Sequence, residues 1–264
     1  MSKLEKLKKI LKKMQSALLA YSGGVDSSFL LKITRESLGD KVLAVTAVSA
    51  TYPQDELEPA KKTARLLKAR HKIIRTSELG NKNFVSNPVN RCYFCKKELF
   101  GRLKKIARKN NLKFIIDASN ATDKKDYRPG AKAKKELGIR SPLEEAGFTK
   151  NEIRRLSKKF KLRSWNKPAL ACLASRVPYG MPITPAVLSK VEKAERSLKA
   201  MGFKQVRLRH YGTLCRIEVN AADVEALVKK RNLIVAKLKP LGYNYITVDL
   251  EGYRTGSLNE LIKR

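Results

Sequence analysis

The run Ala20-Tyr21-Ser22-Gly23-Gly24-Val25-Asp26-Ser27-Ser28 constrains the fold more than any other stretch, because it ends a hydrophobic strand and opens an apolar-periodic helix. Two glycines and three hydroxyls lie at the junction. Glycines let backbone N–H groups approach an anion closely, and the N-terminus of the following helix adds unpaired amides and the positive end of its dipole. That is the build of a phosphate cradle. It is not a Walker A loop, since no Gly-Lys-Ser/Thr follows the glycines and no lysine is placed to grip a terminal phosphate. Asp26 agrees, because a carboxylate beside a polyphosphate is tolerated when it holds a metal or hydrogen-bonds backbone or sugar. The plainer alternative is a Gly-Gly turn that only joins strand to helix.

Apolar runs rich in Leu, Val and Ile lie at Ala17–Tyr21, Val42–Ala47, Lys72–Thr76 and Lys113–Asp117, separated by helical patterns. Strand–helix alternation of this kind predicts an α/β fold with a doubly wound parallel sheet. Its ligands belong beyond the carboxyl ends of the strands. Those ends carry Ser22-Gly23-Gly24, Thr46–Ser49, Thr76-Ser77 and Asp117-Ala118-Ser119-Asn120. Helices are expected from Pro53 to about Ala69 and from Asn90 to about Asn111, with a short one after Arg128-Pro129-Gly130. Thr149-Lys150-Asn151-Glu152 is a capping box that opens another. In Met1–Gln15, Leu4, Leu7, Leu11 and Met14 form one helical stripe without the h-region or cleavage site of a targeting segment, so a helix packed on the domain is expected.

Around Trp165–Pro168 and Pro178–Pro185 the density of Pro and Gly rises and periodicity is lost, which marks a crossover between domains 1–168 and 169–264. The second reads as a smaller α+β layer: helix 185–201, strands 205–210 and 213–219, helix 222–238 and strand 244–249. Period-two alternation puts Cys215 on an apolar face, as a buried structural thiol. Arg207 and Arg209 fall on the opposite, polar face, where guanidinium forks suit a phosphate or carboxylate.

Fifty-eight Lys+Arg against 24 Asp+Glu give a formal charge of +34. Such a field draws nucleotides, RNA and anionic surfaces, but the lysines are spread over nearly every expected helix instead of forming one block. No apolar run is long enough to span a membrane. The four cysteines, 92, 95, 172 and 215, are too few and too uneven for a secreted disulfide scaffold, so a reducing cytoplasm is expected. Cys92-Tyr93-Phe94-Cys95 heads a helix and Cys172 lies at the crossover. By spacing alone, an iron–sulfur cluster with one open iron, a zinc site completed by His71 or His210, a redox pair and plain structural thiols all remain open.

Ser22 to Ser28 resembles the PP-loop of the ATP pyrophosphatase superfamily, an adenine nucleotide alpha hydrolase-like fold. The runs Asn87–Phe100, Asp126-Tyr127-Arg128-Pro129-Gly130, Lys167–Arg176 and Asp249–Arg254 are similar to those of the LarE family and follow in the same order. Two departures stand out: Ala118 replaces a frequent glycine, and Val48-Ser49-Ala50 replaces a common Asp-Ser-Pro. The resemblance implies an ATP-dependent sulfur transferase that thiolates the carboxylates of pyridinium-3,5-biscarboxylic acid mononucleotide on the way to the nickel-pincer nucleotide of lactate racemase. It implies that Ser22, Gly23, Gly24, Asp26, Ser27 and Ser28 hold ATP with Mg²⁺ and that Arg207 and Arg209 bind the mononucleotide phosphate. It also implies that Cys172 and Asp26 are the catalytic residues. In single-cysteine members the matching residue gives up its own sulfur and becomes dehydroalanine. Three-cysteine members are thought to hold a [4Fe-4S] cluster, which here would use Cys92, Cys95 and Cys172.

Expected partners are the mononucleotide, a sulfide donor and further copies of the chain as a homo-oligomer, with no membrane. Nucleic acid is less favoured. A PP-loop tRNA thiolase with a similar cluster is the alternative enzyme, and a nucleotide-binding scaffold that delivers sulfur is the non-enzymatic one.

Overall fold

The computed structural model describes residues 1–125, 129–260 and 262; Asp126, Tyr127 and Arg128 of the second LarE-like run therefore lie outside the described residues. In chain order the elements are α1 (Lys3–Met14), β1 (Ala17–Ala20), α2 (Val25–Leu38), β2 (Val42–Val48), α3 (Leu57–Leu66), β3 (Arg70–Arg75), α4 (Lys82–Val85), α5 (Arg91–Lys109) and β4 (Phe114–Ile116). They continue as α6 (Gly130–Glu136), α7 (Pro142–Glu145), α8 (Lys150–Lys159), α9 (Pro185–Ala200), β5 (Val206–Tyr211), β6 (Leu214–Val219), α10 (Val224–Lys229), α11 (Arg231–Leu238) and β7 (Tyr245–Val248). Two units result, one of residues 1–78 and 90–170, the other of 79–89 and 171–264. The expected division at 168/169 did not assign 79–89 to the second unit.

The first unit holds a four-stranded sheet in the order β3-β2-β1-β4, with every pair parallel. Leu18 and Leu19 of β1 are both fully buried but point to opposite faces, so the sheet carries a core on each side. One core gathers Leu7, Leu11 and Met14 of α1, Phe29, Leu30 and Ile33 of α2, Ala60 and Ala64 of α3 and Ile153 of α8. The other packs Phe100, Leu103 and Ala107 of α5 on Leu18, Leu43 and Ile115. At about 1.5–3 kcal/mol per buried large apolar side chain, these faces fix the order of the helices. Of the α1 stripe, Leu7, Leu11 and Met14 are buried and Leu4 is half-buried against the core, and Ser2 and Glu5 close a capping box at its start.

In the second unit β5-β6-β7 form a three-stranded sheet, antiparallel then parallel. Helix α9 packs on β5. The expected helix 222–238 is two, α10 and α11, separated at Lys230. Segment 79–89 joins this unit through Asn87, which is fully buried; its side-chain amide donates to the carbonyls of Val177, Pro178 and Met181 at 3.3, 2.7 and 2.9 Å.

Candidate functional site

Strand β1 lies between β2 and β4, so the chain runs outward to β3 on one side and returns to β4 on the other. The carboxyl end of β1 is thus the topological switch point, where open α/β sheets bind ligands. Residues 21–28 occupy it. Tyr21 is buried, sits edge-on to His71, and donates its hydroxyl to the Ala60 carbonyl at 3.2 Å. Gly23 has φ +77°, and a Cβ there would stand 2.5 Å from the Ala60 Cβ, so only glycine lets the loop pass this close to α3. Gly24 is the N-cap of α2 and offers no side chain to its first amides. Those amides and the helix dipole remain for an anion. Ser22 and Ser27 approach oxygen to oxygen at 3.1 Å, and the Ser27 hydroxyl donates to the Gly24 carbonyl at 3.2 Å. Ser28 is fully buried with its hydroxyl 3.5 Å from that of Tyr21, so it braces the loop from behind.

Asp26 stands in the first turn of α2. Its Oδ2 accepts from Lys150 Nζ at 2.5 Å, while Oδ1 is buried with no hydrogen-bond partner among the described residues. Burial raises its pKa, and Lys150 pulls the other way without cancelling the effect. A buried carboxylate oxygen lacking a donor fits Mg²⁺, which is held by one or two carboxylates together with substrate phosphates. Lys150 is the residue that sequence reasoning missed. It is the first residue of α8, capped by Thr149 and Glu152. Phe29 of α2 fixes that helix, lying 5.6 Å from Phe148 and 6.2 Å from Phe160 between ring centroids. A cation at a helix N-terminus opposes the dipole, and that local conflict was the available signal.

At the end of β4, Asp117 accepts from Ser119 Oγ at 2.8 Å and from Ser141 Oγ at 2.6 Å, and Lys134 of α6 reaches both hydroxyls. The small polar residues expected beyond this strand are therefore tied into one network. Lys134 was not foreseen in it.

Cys92 and Cys95 lie near the start of α5, one helical turn apart, both half-buried and neither in a disulfide. Cys95 Sγ is 4.0 Å from Glu78 Oε1, which also accepts from Thr76 Oγ1 at 2.9 Å. Cys172 belongs to the second unit, where it is exposed and free. Among the described residues no group of three or more His, Cys, Asp or Glu side chains is gathered as a metal site. The donor set still suits iron and sulfide chemically, with three unbridged thiols of which one is exposed. The histidines have other partners: His71 Nε2 is 2.8 Å from Thr46 Oγ1, and His210 Nδ1 is 3.1 Å from Tyr243 Oη. Burial raises the Cys215 thiol to about 12, as expected for an inert structural cysteine.

The arginines of β5 are not on an exposed polar face. Arg207 is 7% and Arg209 5% exposed, because both faces of β5 are covered. Arg209 donates to both oxygens of the fully buried Glu218 at 2.8 and 2.7 Å, and to the Ser175 carbonyl at 2.7 Å. Arg176 likewise forks onto Glu195 at 2.8 and 2.9 Å and reaches the Cys172 carbonyl at 3.0 Å. The loop carrying Cys172 is therefore clamped by two buried ion pairs. Arg207 differs: burial first, and then the neighbouring Arg176 charge, lower its pKa to about 10. An anion bound there would restore it. Its guanidinium lies 5.4 Å from the Tyr253 ring centroid.

No protein-family profile matches the chain. It is 42% identical over 265 residues to an uncharacterized protein of Synechocystis sp., covering 100% of this chain and 99% of that one. It is 35% identical over 255 residues to the pyridinium-3,5-bisthiocarboxylic acid mononucleotide synthase of Lactiplantibacillus plantarum, covering 96% and 92%. An uncharacterized protein of Methanocaldococcus jannaschii is 30% identical over 258 residues, with 97% and 98% covered.

Proposed function

The chain belongs to the LarE family, that of the pyridinium-3,5-bisthiocarboxylic acid mononucleotide synthase, and we propose from this that it adenylates the carboxylates of pyridinium-3,5-biscarboxylic acid mononucleotide with ATP and converts them to thiocarboxylates. In the first half-reaction a substrate carboxylate oxygen attacks the α-phosphorus of ATP and pyrophosphate leaves. In the second, sulfide adds to the acyl carbon and AMP departs with the bonding pair.

The observation that carries the ATP half is the N-terminus of α2 behind Ser22-Gly23-Gly24, with no side-chain cap, and beside it the Asp26 oxygen that has no partner among the described residues. The amides of this turn would hold the departing pyrophosphate, where preorganised donors act on developing charge. Asp26 would hold Mg²⁺, and Lys150, released from Asp26, would meet a phosphate in place of the lysine that a Walker loop supplies. Ser22 and Ser27 would line the cradle, with Ser28 keeping its shape.

Cys92, Cys95 and Cys172 would hold a [4Fe-4S] cluster, which when bound supplies an exchangeable sulfide to the activated carboxyl. The chain's own part is to present Cys172 on a loop that Arg176 and Arg209 keep rigid. Arg207 would bind the phosphate of the mononucleotide, with Arg209 beside it held mainly for structure by Glu218.

Pyrophosphate release tests this reading. Purified protein with ATP and Mg²⁺ should release pyrophosphate only when the pyridinium biscarboxylate mononucleotide is added. Release that ignores the mononucleotide, or no release at all, would count against it.

A further inference from the structure

Helix α3 and the turn at 163–167 enclose an open groove of about 620 Å³ in the first unit, and none of the loop residues 22–28 lines it. Its volume is that of a small-ligand site, for which about 300–1,000 Å³ is usual. One side of α3 buries Ala60 and Ala64 in the core, so the other side turns its cations outward. Five cations line the groove, Lys61, Lys62, Arg65, Arg163 and Lys167, against the single carboxylate of Glu58. Lys61 pairs with Glu58 and Lys167 with Glu56, both at 2.6 Å. Lys62, Arg65 and Arg163 enter no ion pair among the described residues.

The opposite wall is held in place. Arg154 donates to the carbonyls of Trp165 at 2.9 Å and Lys167 at 2.7 Å, and the Lys167 amide closes onto the Ser164 carbonyl at 3.0 Å. Ser164 in this wall is 2% exposed, and its hydroxyl has no hydrogen-bond partner among the described residues. The groove is also partly apolar: Pro59 lies in it, and Leu66 is 60% exposed. Uncompensated like charges converging from two elements repel one another until an anion joins them. Guanidinium forks from both walls suit phosphate oxygens, while an apolar strip suits the face of a base.

We propose that this groove binds nucleotide phosphates, as free nucleotide or as a strand of RNA, separately from the cradle at 22–28. Fluorescein-labelled octauridylate, titrated by anisotropy against the full chain, tests it. The groove variant is Lys62→Glu/Arg65→Glu/Arg163→Glu. The control, Lys105→Glu/Arg108→Glu/Lys109→Glu, reverses as many charges on α5, which covers the other face of the sheet. The groove variant should bind at least about tenfold more weakly at about 50 mM salt, and its slope of log K against log salt should be smaller by about 2, the release expected for three strand phosphates. The control should change affinity far less. Unlabelled uridine monophosphate separates the two sources: competition that depends on the groove cations assigns free nucleotide, and its failure assigns the strand. Retained pyrophosphate release reports that the variants fold, and the Gln counterparts replace any that do not. Equal losses in both variants, or no binding by the unaltered chain, would overturn the proposal.

Discussion

Lys150 Nζ lies 2.5 Å from Asp26 Oδ2, although 124 residues separate the two in the chain. The pair joins the first turn of α2 to the first residue of α8 and leaves one Asp26 oxygen without a partner among the described residues. If Lys150 serves a phosphate, Lys150→Met should reduce mononucleotide-dependent pyrophosphate release by roughly two powers of ten, the usual loss of one preorganised charge-stabilising group. The pKa of Asp26 should then rise further, since Lys150 is what restrains it. A pH profile of release would show its acid limb moving upward. Unchanged release from a folded variant would remove Lys150 from the site.

Asp26→Ala should abolish release more completely than Lys150→Met, because it takes away the proposed Mg²⁺ ligand as well as the partner of Lys150. Circular dichroism should show the fold intact. Normal release from this variant would contradict the reading of the loop as an ATP cradle.

Arg207 and Arg209 should separate. Arg207→Ala should raise the apparent constant for the mononucleotide far more than that for ATP. Arg209→Ala leaves Glu218 buried without its bidentate partner and should cost about 3–5 kcal/mol in urea unfolding. An unchanged urea midpoint for Arg209→Ala would show that the Arg209–Glu218 pair does not hold the Cys172 loop.

Both histidines of the chain have pKa values lowered chiefly by burial. As the pH falls through the unfolded value near 6.5, the unfolded chain takes up protons that the folded chain resists, so stability should decline from there downward. The urea midpoint should therefore drop between about pH 7.5 and about pH 5.5. His71→Gln/His210→Gln should flatten that drop. An equally steep drop in the double variant would assign it to other groups.

The strand–loop–helix geometry around residues 21–28 was legible because its parts are consecutive: a strand, two glycines and a helix within a few residues. The pairing of Lys150 with Asp26 was not, since it is reached only through the packing of Phe29 against Phe148 and Phe160. On β5, alternation correctly placed Arg207 and Arg209 together, opposite Val206 and Leu208. It could not show exposure. That depended on Ser175 and Ser257, which are distant in sequence and bond to Arg209. For the same reason segment 79–89 gave no sign of its unit: the tie runs from the Asn87 amide to carbonyls about ninety residues on. Local pattern reports which face a side chain takes, and tertiary structure decides what covers it.

Cys172 either gives up its own sulfur or helps hold a cluster that passes on sulfide, and the two schemes leave different proteins behind. The most direct measurement is anaerobic turnover of the iron- and sulfide-reconstituted chain, with product counted per chain and the intact mass taken afterwards. Several thiocarboxylates per chain are expected when sulfide is supplied, with no change in mass. Loss of Cys92, Cys95 or Cys172 should lower both iron content and activity, while Cys215→Ala should change neither. One sulfur transferred per chain by iron-free protein, with dehydroalanine at position 172, would contradict the cluster scheme.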